Sequence, residues 1–345
     1  MGIAALEGAG LMVFSRTLTM LMAWLGAALL LAGNSSAETP SDANGEIILV
    51  VGAGGTDQYA KQFSKWADRW RQVAEKSEVQ LTFIGPGQAD QTPDRERLEK
   101  AIQGASAKRG GPLWIVLIGH GTFANKIAKF NLRGRDFSAS ELADWLAPIQ
   151  RPVVVIDCSS SSGPFINRLS AKNRVIVTAT MSGVQQNYAR FGQYFSEAIS
   201  SPSSDLDHDD EVSVHEAFLQ ASAGVKQFYE SEARISTEQA LIDDNGDGRG
   251  TPAKMFRGTR PIAKAKDGSD LDGKFASRIT LSPTRFRLSL TADEVAERAE
   301  IEQQLDQLRQ KKDVLSEADY DRELETLLLR LAKIYQAAEQ RNASQ

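Results

Sequence analysis

Along this chain, short uninterrupted apolar runs alternate with segments in which apolar residues recur every three to four positions. The runs lie at residues 46–52, 79–84, 113–118, 152–156 and 174–178 and are rich in Val, Ile and Leu. Short runs of this kind, without polar alternation, predict strands of a parallel sheet buried on both faces. Between them, a segment carrying Trp66 and Trp70, a charged stretch at residues 95–102 and an amphipathic one at residues 141–146 predict covering helices. The expected fold class is therefore α/β, an open, mostly parallel sheet with helices on both faces. Beyond Ser182 the strand pattern stops, and helical patterns at residues 191–199, 212–229 and 237–242 are punctuated by two acidic loops. Residues 264–273, rich in Lys, Asp and Gly, read as a linker. From Thr291 the apolar positions Ile301, Leu305, Leu308 and Leu315, then Leu324, Leu327, Leu328, Leu331 and Ile334, predict two helices forming an antiparallel hairpin. Thr291 with Glu294, and Ser316 with Asp319, are capping-box-like starts for them. The expected division is a leader at 1–37, a main domain at 45–263, a linker with short strands at 264–290 and a helical hairpin at 291–345.

The N-terminal segment differs from the rest. Arg16 precedes an apolar run from Leu18 to Ala32, followed by small residues at Ser35 and Ala37. This reads as a signal peptide cleaved after Ala37, which places the protein outside the cytoplasm, periplasmic or secreted. The rival reading is a membrane anchor, for which the run falls short of the ~20 apolar residues a spanning helix needs. Contact with a membrane is expected only if this segment stays uncleaved. In 345 residues, 41% are hydrophobic and the net charge is −5, which gives no general attraction to nucleic acid. An exported chain meets oxidising conditions, yet this one has a single cysteine and so no internal disulfide.

That cysteine falls at a position where chemistry is expected. In parallel α/β sheets ligands bind beyond the carboxyl ends of the strands. His120 follows one apolar run and Cys158 follows the next. If those strands are neighbours, ~4.8 Å apart, both side chains reach one small site. The other two histidines, His208 and His215, lie in or beside an acidic loop, which leaves His120 as the base for the thiol. Gly121 offers a backbone N–H that, with the N–H of Cys158, forms a candidate oxyanion hole. The serines at residues 159–162 read as a flexible polar turn before a helix. A Ser-His-Asp hydrolase is disfavoured, because no Gly-x-Ser-x-Gly elbow is present.

In the apolar strand ending Gly119-His120-Gly121, and the second ending Asp157-Cys158 with Ser162-Gly163 in its turn, the chain resembles the caspase-like clan of cysteine peptidases. Within it, Val51-Gly52-Ala53-Gly54-Gly55 and Tyr59 are similar to the start of the legumain (asparaginyl endopeptidase) family. The resemblance covers residues 46–200 and implies a peptidase acting on a peptide or protein substrate through a thioester. It implies Cys158 as nucleophile, His120 as its base or electrostatic partner, and Gly121 in the oxyanion site. Tyr59, with Thr180, Met181 and Ser182 just past the next strand, would shape the specificity pocket. Tyr59-Ala60-Lys61 replaces the family's Tyr-Arg-His, and Ile156 and Ser159 replace acidic residues, so the likeness does not extend to the asparagine pocket. Two other functions fit the same residues: an inactive module serving as a calcium-dependent scaffold, and a transpeptidase in which an amine resolves the thioester.

The acidic loops suggest structural Ca²⁺, with no cofactor needed for catalysis. Asp205, Asp207 and Asp209 take the first, third and fifth places of a calcium-type loop, followed by the backbone carbonyl of Glu211, then Ser213 and a bidentate Glu216. Asp210 stands where a glycine usually turns the chain. A second stretch places Asp243, Asn245 and Asp247 at the same spacing, but Lys254 occupies its twelfth place. The first loop, which meets the spacing in full, is the stronger expectation. The C-terminal hairpin either binds a protein partner or covers the catalytic face, or its stripes simply pack on each other and on the main domain.

Overall fold

The computed structural model describes residues 45–87, 92–108, 110–209, 211–262, 271–281, 290–312 and 314–343. The leader at 1–37, Asp210 and most of the linker at 264–290 lie outside them.

Parallel strands with helical crossovers build the first half. They run β1 (Glu46–Val51), α1 (Asp57–Lys76), β2 (Gln80–Ile84), α2 (Asp94–Ser106) and β3 (Leu113–Ile118). A three-stranded antiparallel flap follows, β4 (Gly121–Ala124), β5 (Ile127–Phe130) and β6 (Phe137–Ser138). Its first turn uses Asn125 and Lys126, both at positive φ (51° and 62°), the twist that two-residue hairpins favour. Then come α3 (Ala139–Leu146), β7 (Val153–Asp157), α4 (Ile166–Leu169), β8 (Arg174–Thr178), α5 (Phe191–Ala198) and α6 (Val214–Ser231). β9 (Leu241–Asp243), β10 (Thr251–Pro252), β11 (Phe256–Arg257) and β12 (Arg260–Pro261) precede the C-terminal helices α7 (Ala292–Gln310) and α8 (Glu317–Ala343).

The main sheet has seven strands in the order β10-β9-β8-β7-β3-β1-β2, parallel from β8 to β2. Strand alternation divides its side chains between two cores. Leu49, Val51, Val116, Ile118, Val154 and Ile156 face Phe63, Trp66 and Trp70 of α1, Phe191 and Phe195 of α5, and Phe218 of α6. Val50, Ile115, Leu117 and Val155 face Leu98 and Ile102 of α2, Leu142 of α3 and Leu169 of α4. The fold is the expected α/β class, covered on both faces.

Two expectations are corrected. The strand pattern does not stop at Ser182, and residues 237–242 form no helix. Glu238 is buried, and its carboxylate accepts the backbone N–H groups of Arg190 and Phe191 and the Tyr229 hydroxyl. That anchor holds the segment extended. Leu241 and Asp243 then pair antiparallel with Thr178 and Ile176, closing an edge of β8 that would otherwise expose unpaired backbone groups. In the C-terminal region Ile301, Leu305 and Leu308 pack against Leu327 and Ile334. Arg341 grips Glu294, and Arg330 meets Glu297 at 3.3 Å, so α7 and α8 run antiparallel. Leu328, assigned to the apolar stripe, is exposed.

Candidate active site

β2 and β3 lie on opposite sides of β1, so the chain departs in two directions from the β1–β3 junction. Such a switch point opens a crevice at the carboxyl ends of the strands. The glycine-rich loop after β1 lines one side, tied down by Gly52 N–H to Ile118 O (2.9 Å) and Ala53 N–H to Asn131 O (3.1 Å). His120, leaving β3, stands on the other side. Its Nε2 lies 3.2 Å from the Gly54 carbonyl oxygen. A carbonyl only accepts, so Nε2 carries the proton and Nδ1 is left as the basic nitrogen. Tyr59 and Phe63 meet the imidazole edge-on at centroid distances of 5.1 Å, and Tyr188 at 6.5 Å.

Cys158 follows β7, which pairs Leu117 with Asp157. The same register sets Cys158 opposite Ile118, and alternation puts Cys158 and His120 on one face of the sheet. Two residues of rise and one strand spacing separate their Cα atoms by roughly 8 Å. That separation lets a cysteine and a histidine converge on one reacting group. The thiol itself is covered. Cys158 is only 2% exposed. A Cβ on Gly192 of α5 would come within 2.7 Å of the Cys158 Cβ and 2.8 Å of the Trp66 ring, so α5 lies directly over the cysteine. Burial pushes the thiol well above its ordinary range, and the Asp157 carboxyl adds to this. Among the described residues no hydrogen bond joins Cys158 to His120.

The oxyanion expectation is not met in this conformation. Cys158 N–H donates to Leu117 O at 2.9 Å, continuing the sheet ladder. Gly121 N–H donates to Ser160 Oγ at 3.3 Å. The need for glycine at 121 has a local cause: a Cβ there would come within 2.1 Å of the Ser160 carbonyl oxygen. The serine run is no flexible turn either. All four serines are buried. Ser159 donates to Asp157, Ser160 Oγ to Gly121 O, and Ser162 Oγ pairs with Thr180 Oγ1 at 3.1 Å. Ser161, at φ 58°, turns its N–H to Gln185 O.

The pocket residues divide. Tyr59 stacks on Tyr188 at 4.7 Å beside His120, and the two rings also line, with Gln62, Asn187, Arg190 and Gln193, a cavity of about 360 Å³ whose lining includes neither His120 nor Cys158. Thr180 is fully buried with its hydroxyl on Ser162 and Gly163, so it shapes the turn and does not line this cavity. Met181 is half exposed and Ser182 partly so, and neither lines this cavity. Tyr188 and Phe63 were missed. Phe63 reads as core, and Tyr188 sits in a polar segment without periodicity. A larger hollow of about 770 Å³ between α6 and the 234–258 region contains neither His120 nor Cys158.

In the first acidic loop, Asp205, Asp207 and Asp209 place carboxylate oxygens within 4.8 Å of one another. The later ligands are corrected. Ser213 and Glu216 form the capping box of α6. Glu216 Oε1 accepts the N–H groups of Leu206 and Asp207, and its Oε2 accepts from Ser213 N–H and Oγ, so no bidentate carboxylate is left for a cation. The Glu211 carboxylate accepts from Thr280 Oγ1 at 3.2 Å, a contact that does not involve the backbone carbonyl expected as its ligand atom. In the second loop, Asp243 is buried at the end of β9, with Asn245 and Asp247 on the turn toward β10.

No protein-family model matches the chain, and no curated protein matches it. Among solved structures it is similar to the Drosophila initiator caspase Dronc (14% identity, TM-score 0.38), covering 63% of this chain and 88% of that one. It is also similar to caspase-1 from Spodoptera frugiperda (13%, TM-score 0.38, covering 59% and 87%). A third is a protein of Geobacter sulfurreducens (13%, TM-score 0.38, covering 63% and 98%).

Proposed function

We propose that this protein is an exported, caspase-like cysteine endopeptidase with legumain-type features. The observation that carries the reading is the β3–β7 register, which sets His120 and Cys158 on one sheet face beyond adjacent parallel strands, next to the β1–β3 switch point. In the proposed reaction Nδ1 of His120 takes the thiol proton and Sγ bonds to the peptide carbonyl carbon. The tetrahedral intermediate collapses as the C–N bond breaks, the leaving amine takes the proton from His120, and a thioester remains. Water, deprotonated by the same imidazole, then releases the acid and restores the thiol. Tyr59 and Tyr188 would form the walls against which substrate lies.

One observation favours a second reading, a non-catalytic module of the same fold: the thiol is covered and both expected oxyanion donors are occupied. Cleavage of a peptide library by the purified chain separates the two. Peptidase activity lost in Cys158→Ala and in His120→Ala, with the fold retained by circular dichroism, is the expected result. Activity unchanged in either variant refutes the dyad. No cleavage by wild type, with equal iodoacetamide labelling of Cys158 in wild type and His120→Ala, leaves the non-catalytic module.

A further inference from the structure

The loop from β9 to β10 turns tightly through Gly246 and Gly248, both at positive φ (79° and 74°). Oδ1 of Asp243 accepts the Gly246 N–H at 3.4 Å and the Ser170 hydroxyl at 3.0 Å, so its carboxylate is turned into the loop. Asn245 Oδ1 accepts the Asp247 N–H (2.9 Å) and Asp247 Oδ1 the Arg249 N–H (2.7 Å). Those bonds set the loop's shape and are common to many polar turns.

What points to a ligand is the other oxygen of Asp243. The residue is completely buried, and among the described residues Oδ2 has no hydrogen-bond partner. A buried carboxylate oxygen left unsatisfied carries its full desolvation cost. Its charged neighbours deepen the problem, since Asp247 and Asp244 add repulsion to the effect of burial. A cation removes both penalties at once. The donors are oxygens throughout: two carboxylates, one amide carbonyl and, at the seventh place, the Arg249 backbone carbonyl. An all-oxygen set, half of it anionic, suits Ca²⁺, whereas Zn²⁺ favours nitrogen and sulfur.

We infer that Asp243, Asn245, Asp247 and the Arg249 carbonyl hold one Ca²⁺, with water completing the shell where Lys254 replaces the usual twelfth carboxylate. The ion is structural. Asp243 pairs with Ile176 while Leu241 pairs with Thr178, so the loop points away from the catalytic end of the sheet. Next to it, Asp244 accepts the N–H groups of Gly273 (2.9 Å) and Ala276 (2.7 Å) and donates its own N–H to Asp272 (3.0 Å). Fixing the loop therefore fixes the chain after residue 271 against the sheet edge. Among the described residues the first acidic loop shows no such orphan, because its buried carboxylate, Glu216, is fully bonded.

The inference is independent of peptidase activity. Its test is calorimetric titration of the chelator-treated full chain with CaCl₂, alongside thermal melts. One Ca²⁺ per chain and a calcium-dependent rise in Tm are expected. Asp247→Ala, at an exposed position where the fold tolerates change, should weaken binding about tenfold or more, and Asp243→Asn likewise. The Asp205→Asn/Asp207→Asn double variant should bind as wild type does. Absence of binding heat overturns the inference. So does calcium binding that survives Asp247→Ala and disappears in the double variant.

Discussion

Asp157 ends β7 one residue before the cysteine and is fully buried. Its Oδ1 accepts the Ser159 N–H at 3.0 Å and the Ser159 hydroxyl at 2.6 Å, while Oδ2 has no partner among the described residues. Burial outweighs the two Ser159 bonds and pushes the carboxyl from 3.8 up to about 7. A raised carboxyl binds its proton more tightly in the folded chain than in the unfolded one. Its contribution to stability is therefore complete below the unfolded value and is lost as pH rises to about 7. The full rise corresponds to about 4 kcal/mol, of which about 2–3 kcal/mol falls between about pH 5 and about pH 8. Asp157→Asn keeps the Oδ1 acceptor and cannot ionise. Its buried NH₂ group adds a pH-independent cost of about 1–3 kcal/mol, so the slope and not the level is diagnostic. Urea unfolding at a series of pH values should show wild type losing that 2–3 kcal/mol relative to the variant. Because the Asp157 carboxyl also raises the Cys158 thiol, the variant should react faster with iodoacetamide at alkaline pH. Parallel stability curves for the two proteins would refute the buried, proton-binding Asp157.

Two further outcomes test other parts of the same core. His215 is buried, its ring nitrogens have no hydrogen-bond partners among the described residues, and burial lowers it from 6.5 to about 4. Wild type should therefore lose up to about 3 kcal/mol relative to His215→Leu as pH falls through that window, the opposite sign to Asp157, and equal acid sensitivity in urea melts would contradict it. Gly192→Ala forces a methyl against Cys158 and Trp66. It should cost about 1–3 kcal/mol in a thermal or urea melt and slow alkylation of Cys158, and an unaffected melt would mean that α5 does not press on the cysteine.

β1, β3, β7 and β8 were legible because each is a buried apolar run with no competing period, the edge strand β2 despite its alternating Gln80 and Thr82, and the histidine and cysteine because strand ends are where such sheets bind ligands. β9 was not legible, since it is three residues long and held extended by Glu238, a residue 48 positions distant from the Arg190 whose N–H it accepts. The flap was hidden for a similar reason: Thr122, Lys129 and Ser138 break its apolar signal, and its turn of Asn125 and Lys126 lacks the glycine that usually marks one. Spacing alone favoured the first acidic loop. It could not show that Glu216 would be consumed by a capping box that the same sequence, Ser213 with Glu216, also encodes. Nor could spacing reveal the orphaned oxygen of Asp243, which exists only once β9 is buried beside β8.

The covered cysteine and the proposed chemistry are compatible on energetic grounds. The same contacts that place Cys158 opposite Ile118 also hide it: its N–H extends the ladder, Ser160 occupies the Gly121 N–H, and α5 roofs the thiol. Freeing the two N–H groups breaks two hydrogen bonds, each worth about 1 kcal/mol net. Those two bonds alone, about 2 kcal/mol, would hold the open state at a few per cent and slow its chemistry by roughly thirtyfold, and lifting α5 off the thiol adds to that cost. Substrate whose carbonyl oxygen takes both N–H groups replaces the lost bonds and shifts that balance toward the open state. A non-catalytic module gains nothing from such an exchange. Its cysteine should stay equally protected with and without peptide, whereas a peptidase's cysteine becomes reactive when a peptide occupies the crevice at the carboxyl ends of β1 and β3.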